Sequence, residues 1–233
     1  MFLDVDGCLL DFAARPDEVT VPPGLPEALE SLSARLQGAL ALVSGRSLQT
    51  LDALFDPLRL PAAGLHGLER RLGDGRVVDT AEPGAELAQV HADARRLADT
   101  LPGALVEDKG AAIALHWRQA PEAAGALTGF ATGALARLPG YRLQAGDHVV
   151  ELRPAQADKG DAIAAFLDEP PFFGRHPVFA GDDLTDEHGF DLVNDRGGLS
   201  VLVGARQHSS ARHGLAGPAD VRAWLGAGKG AAR

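Results

Sequence analysis

Phe2-Leu3-Asp4-Val5-Asp6-Gly7-Cys8 is the stretch on which the fold turns. Two apolar residues lead into two carboxylates separated by a valine, and a glycine follows at once. Side chains two apart on a strand share a face. Residues 2–6 therefore predict a short strand that aims Asp4 and Asp6 at one place from its carboxyl end, and Gly7 permits a sharp turn after the pair. In open α/β sheets, ligands bind outside the carboxyl ends of the strands. One carboxylate there can attack phosphorus to give an aspartyl-phosphate, while a second can move protons to a leaving oxygen and from water. The bland alternative is a chance Asp-x-Asp at a strand end. A central strand that starts at the first residue is unusual, so a few further residues are expected ahead of it.

Working outward, Leu25, Leu29, Leu32 and Leu36 recur at helical spacing after Pro22 and Pro23. Residues 39–43 are a continuous apolar run ending in Ser-Gly-Arg, the pattern of a buried strand. A helix over 48–55 and a strand over 62–65 continue the alternation, which implies a parallel sheet with helices on both faces. The rhythm then changes. Strand candidates lie at 77–78, 104–107, 111–117, 141–143 and 148–152, with one helical face made by Leu87, Val90, Ala94, Leu97 and Leu101 and a small-residue helix over 122–138. The α/β rhythm returns with a helix at 161–167, a strand at 177–180, a helix from Thr185, a strand at 199–203 and a short helix at 221–225. The tail after Gly226 reads as disordered. The expected architecture is a doubly wound, Rossmann-like α/β core made of residues 1–71 and 155–233, interrupted by an α+β module over 72–154.

The 233 residues suit such a core with one inserted module, and a hydrophobic content of 45% provides its interior. A formal charge of -10 with no basic stripe argues against nucleic acid or an anionic membrane as partner. A phosphate-bearing ligand would be repelled by that field and would need a local cation. The single cysteine, Cys8, rules out an intrachain disulfide and fits a reducing compartment. No apolar run approaches the ~20 residues of a membrane span, and no signal peptide is evident at the start. The expected location is the cytoplasm and the expected state a monomer.

Three further constellations accompany the Asp4/Asp6 pair. Ser44-Gly45-Arg46 follows an apolar strand, where a hydroxyl and backbone N–H groups can hold phosphate oxygens; an ordinary helix cap would look the same. Asp158-Lys159-Gly160 opens a helix, and its lysine can neutralise phosphate charge or simply be a solvated first-turn residue. Gly181-Asp182-Asp183-Leu184-Thr185-Asp186-Glu187 follows another apolar strand. Magnesium takes one or two carboxylates together with waters and substrate phosphate, which makes Asp182 and Asp183 the metal candidates. Asp186 and Glu187 read as acids decorating the first turn of a helix.

An acidic strand end, a Ser strand end, a helix-start Lys and a di-Asp strand end, in that order, resemble the haloacid dehalogenase-like phosphatases. The resemblance implies Asp4 as nucleophile and Asp6 as general acid/base. It implies Mg2+ held by Asp4, the backbone carbonyl of Asp6 and Asp182, with Asp183 supporting from beside the metal. Ser44 and Lys159 would hold the phosphate, with the backbone around Gly7 reaching it too.

Longer strings narrow the family. Ser44-Gly45-Arg46, Gly64-Leu65-His66-Gly67-Leu68-Glu69, Glu107-Asp108-Lys109, Val150-Glu151-Leu152-Arg153-Pro154 and the 181–187 string look like trehalose-6-phosphate phosphatases, over about residues 2–205. That resemblance implies a cap domain in the position of the inserted module. Its Glu107, Lys109 and Glu151 would grip sugar hydroxyls, and Arg46 and His66 would lie near the phosphate or sugar on the core side. Arg153 reads as structural, and Trp117 as core or interface. In one departure from the family pattern, Cys8 stands where a Thr usually follows the glycine. Phosphatases of other sugar phosphates (sucrose or mannosylglycerate type), a phosphosugar mutase and a catalytically silent phosphosugar-binding subunit stay open as alternatives.

Overall fold

The computed structural model describes residues 1–13, 15, 18–79, 84–155 and 158–227. The tail expected to be disordered lies, from residue 228, outside the described residues. In chain order the elements are β1 (Phe2–Leu3), α1 (Leu25–Arg35), β2 (Ala41–Val43), α2 (Leu48–Phe55), β3 (Ala62–Gly64), β4 (Glu69–Arg71), β5 (Val77–Asp79), α3 (Ala85–Ala98), β6 (Leu105–Asp108), β7 (Ile113–His116), α4 (Ala124–Ala134), β8 (Tyr141–Gly146), β9 (Val149–Pro154), α5 (Lys159–Leu167), β10 (Val178–Gly181), α6 (Glu187–Asp195), β11 (Leu199–Val203), β12 (His213–Leu215) and α7 (Pro218–Leu225). The chain divides into two compact units, Met1–Val78 with Ala157–Arg233, and Asp79–Gln156.

The first unit is built on a sheet of order β12-β11-β10-β1-β2-β3-β4-β5. Pairing is parallel from β12 through to β3, and β4 then runs antiparallel to β3. The period-two alternation of the strands sorts their side chains onto two faces. Leu3, Leu42 and Ala180 pack with Leu25, Leu29, Leu51, Phe55, Val221 and Leu225 of α1, α2 and α7. Phe2, Ala41, Val43 and Phe179 pack on the other face with Ile163, Phe166, Phe190 and Val193 of α5 and α6. The core is thus doubly wound, as its alternating pattern predicts. Residues 72–78 were expected in the inserted module but belong to this unit, because β5 follows β4 at the sheet edge.

Two strands escaped prediction because they are short and polar: β4 reads Glu69-Arg70-Arg71 and β12 reads His213-Gly214-Leu215. β1 is shorter than the predicted strand. The Val5 carbonyl accepts from the N–H groups of both Leu9 and Leu10 (2.9 and 2.8 Å), so the chain curls back straight after Asp4.

The second unit is a four-stranded antiparallel sheet, β6-β7-β9-β8. Ile113, Leu115, Val150 and Leu152 form its apolar face against Leu87, Val90, Ala94, Leu127 and Ala131 of α3 and α4, and Trp117 packs against the same cluster.

Candidate active site

In the first unit, the carboxyl ends of β1, β2 and β10 and the start of α5 converge. Asp158 caps α5, its side chain accepting from the Asp161 N–H (2.8 Å), which fixes Lys159 as the first helical residue. Lys159 is only 2% exposed, so the reading as a solvated first-turn lysine fails. Its Nζ lies 2.9 Å from Asp4 Oδ1 and 2.7 Å from Asp186 Oδ1. Burial works against the ammonium, but the charges of Asp186 and Asp4 outweigh it and hold the lysine protonated well above its ordinary range.

Asp186, placed by its sequence among first-turn decorations, is fully buried. Its Oδ1 accepts from Lys159, and its Oδ2 accepts from the N–H groups of Asp182 and Asp183 (2.9 and 3.0 Å). It therefore shapes the acidic turn from inside. Gly181 makes this possible, since a Cβ there would stand 2.3 Å from the Asp186 carboxyl carbon. Asp183 itself is exposed and caps the turn by accepting from the Thr185 N–H (2.7 Å).

Carboxylate oxygens of Asp4, Asp182 and Asp186 all lie within 4.8 Å of one another. Three acids then face one ammonium, an excess of negative charge that either protons or a cation must relieve. Burial, and next the charge of Asp186, push the Asp182 carboxyl up to about 7, with its hydrogen bond to Asp4 acting against them. Burial pushes Asp4 well above the carboxylate range as well, with Lys159 opposing. The oxygens differ in availability. Those of Asp186 are already occupied, whereas Asp182 Oδ1 is buried and accepts no hydrogen bond among the described residues. A cation fits against Asp4 and Asp182, leaving Asp186 to its lysine. Gly7 has φ +76°, and a Cβ on it would stand 2.2 Å from Asp182 Oδ2, so the approach of the two strand ends requires glycine there.

Asp6 turns away from this cluster. Arg46 grips it through two parallel bonds, Nε to Oδ2 at 2.7 Å and Nη2 to Oδ1 at 2.8 Å. Ser44 is buried, and its Oγ accepts from the Arg46 N–H (3.1 Å); the residue that caps α2 is Ser47. His66 is buried in a left-handed conformation (φ +58°), with its ring against Gly45, where a Cβ would stand 2.8 Å from Nε2. Glu69 also joins this end of the sheet, accepting from the Leu48 N–H (2.8 Å).

In the second unit, Glu107 pairs in register with Ala114, Ala114 with Glu151, and Glu151 with Gln144. These residues form one row across the sheet, on the face opposite the apolar cluster. Lys109 Nζ donates to Glu151 Oε1 and lies 4.0 Å from Glu107 Oε2. His116, which the sequence reading did not single out, bonds Glu107 Oε2 at 3.0 Å. Its two-residue offset from Ala114 on β7 was the available signal. Arg153 is buried and donates to Gln144 Oε1 (3.1 Å), a structural position.

Residues 2–219 match the trehalose-phosphatase family. A probable trehalose-phosphate phosphatase of Sinorhizobium fredii is 51% identical over 205 residues, covering 88% of this chain and 77% of that protein. The trehalose-6-phosphate phosphatase of Escherichia coli is 46% identical over 224 residues, covering 96% and 84%. Among solved structures, the C-terminal domain of the C. albicans trehalose-6-phosphate phosphatase superposes with a TM-score of 0.82 at 21% identity, covering 97% of this chain and 90% of that one. Family match, relatives and fold agree: this chain belongs to the trehalose-phosphatase family.

Proposed function

We propose that this chain hydrolyses trehalose 6-phosphate to trehalose and phosphate, with Asp4 as nucleophile. The observation that carries the reading is the buried Asp4–Lys159–Asp186 cluster, with the unpartnered Asp182 oxygen beside it. Its substrate follows from the relatives, and from a polar face in the second unit that brings Glu107, Lys109 and Glu151 together.

In this reading Asp4 attacks phosphorus and the sugar oxygen leaves, giving an aspartyl-phosphate. Lys159 offsets charge on the phosphoryl oxygens, and Ser44 and the backbone following Gly7 bind them. Asp6, freed from Arg46, donates a proton to the leaving oxygen and later takes one from the water that hydrolyses the intermediate. Arg46 and His66 orient the phosphate end. Asp4, Asp182 and the Asp6 carbonyl would hold Mg2+, with Asp183 beside it. When bound, the ion supplies positive charge that the acidic cluster lacks and the transferring phosphoryl group requires. The second unit acts as the cap, with Glu107, Lys109 and Glu151 accepting and donating to sugar hydroxyls. We place the enzyme in the cytoplasm as a monomer; among the described residues no helix is long and apolar enough to cross a membrane.

Phosphate release from trehalose 6-phosphate, sucrose 6-phosphate, glucose 6-phosphate and an aryl phosphate, with and without Mg2+, tests the reading. Turnover should depend on Mg2+ and be dominated by trehalose 6-phosphate, and Asp4→Asn should lower it at least ~10⁴-fold in a folded protein. Dominance of another sugar phosphate would keep the core chemistry and sink the cap assignment. Ordinary activity in the Asn variant would remove Asp4 from its role.

A further inference from the structure

The acidic turn at 182–187 is pinned from inside by Asp186. A second cluster, which the reaction scheme leaves unused, pins it from outside. Glu187 opens α6 and is half-buried. Its Oε1 accepts from Arg206 Nη2 and from Ser209 Oγ (2.8 Å), and its Oε2 accepts from the Ser210 N–H (2.7 Å). The same Arg206 Nη2 donates to the main-chain oxygen of Asp183 (3.2 Å). One guanidinium nitrogen thus joins both ends of the turn. The segment carrying Arg206 is itself fastened, because Asn194 Nδ2 donates to the Ser210 carbonyl while its Oδ1 accepts from Ser200 Oγ (2.7 Å each). Arg206 also shares the wall of a 330 Å³ cavity with Asp182 and Gly7. An isolated surface pair contributes little. This one is shielded, with about a fifth of each side chain exposed, and both oxygens of the carboxylate are occupied.

We propose that Glu187 and Arg206 are positioning residues that hold Asp182 in place for a divalent cation by clamping the turn from its outer side. They touch neither substrate nor metal. They act through the Asp183 carbonyl and the start of α6, which fix the backbone that carries Asp182. The proposal rests on the metal reading given above.

The test compares wild type with Glu187→Gln, Arg206→Gln, the double variant and Arg206→Lys. The readout is the rise in Tm on titrating Mg2+ into EDTA-treated protein, which reports binding without turnover. The Mg2+ concentration for half the rise should increase about tenfold in each Gln variant, as for other outer partners of metal ligands. The double variant should be no worse than the weaker single one, because both remove one clamp. Arg206→Lys should recover part of the loss, and phosphate release should be restored by more Mg2+. A fall in the metal-free Tm with unchanged Mg2+ half-saturation would make the pair merely structural and overturn the proposal. Multiplying losses in the double variant would overturn the shared clamp. Wild type with no Mg2+-induced rise would sink the metal reading and this proposal together, a result distinct from both.

Discussion

In the first unit three carboxylates crowd one ammonium, and Asp4, Asp186 and Lys159 are shut away from solvent. In the second unit two carboxylates share one ammonium across a sheet, in register and with 11–28% of each side chain exposed. The residue types match but the electrostatics do not. A buried excess of negative charge is costly until a cation or a proton relieves it, and that suits a site where charge must be met by fixed groups as bonds change. A row with a smaller charge excess, still partly reached by water, costs less to keep and offers donors and acceptors at fixed spacing, which suits recognition of hydroxyls. Charge imbalance and complete burial, more than residue type, separate the two clusters.

Three perturbations would break or sharpen that contrast. The largest effect is expected from Gly7→Ala. The new methyl collides with Asp182 and meets a positive φ, so kcat should fall roughly 10²-fold or more, the loss expected from a ~1 Å misplacement of reacting groups. Steady-state phosphate release at saturating Mg2+ measures it; near-wild-type activity would mean that the strand ends need no close approach. The next is Glu151→Gln in the row of the second unit. Losing one charge-assisted hydrogen bond worth ~1.5–3 kcal/mol should raise KM for trehalose 6-phosphate about tenfold while leaving aryl phosphate turnover within about twofold. Equal losses on both substrates would deny the row its role in recognition.

The smallest effect concerns pH. A carboxyl whose folded value is raised to about 7 binds more protons folded than unfolded across the window from its ordinary value, near 4, up to 7. Its contribution to stability therefore falls as pH rises through that window. In EDTA at pH 8, Asp182→Asn should be more stable than wild type, by on the order of 1–2 kcal/mol or roughly 3–6 °C in Tm. The gain should fade towards pH 4. Thermal melts across pH decide it, and a variant less stable at pH 8 would show that the cluster carries no excess charge.

The core was legible because its chemistry stands at strand ends, where apolar runs such as residues 39–43 stop abruptly at polar groups. Periodicity also placed α1, α3 and the antiparallel strands of the second unit. Asp186 was not legible. An acid in the first turn of a helix looks the same whether it faces water or a buried lysine, and only the three-dimensional partner, 27 residues earlier in the chain, separates the cases. The Arg46–Asp6 fork was hidden for the same reason: it spans 40 residues, and spacing carries no record of it. β4 and β12 were missed because strand patterns are recognised by apolar alternation, and these strands at or near the sheet margins need little of it.

β1 comes first in the chain yet sits between β2 and β10. On a ribosome it can pair on one side as soon as residues 41–43 emerge, but its other side stays open until residues 178–181 arrive. At synthesis rates of ~5–20 residues per second, that interval is on the order of ten seconds. Throughout it, the nascent chain carries an unpaired apolar strand edge next to Asp4, while the whole second unit is made. The first unit is therefore the last to close, and chaperone dependence should track the time taken to reach β10.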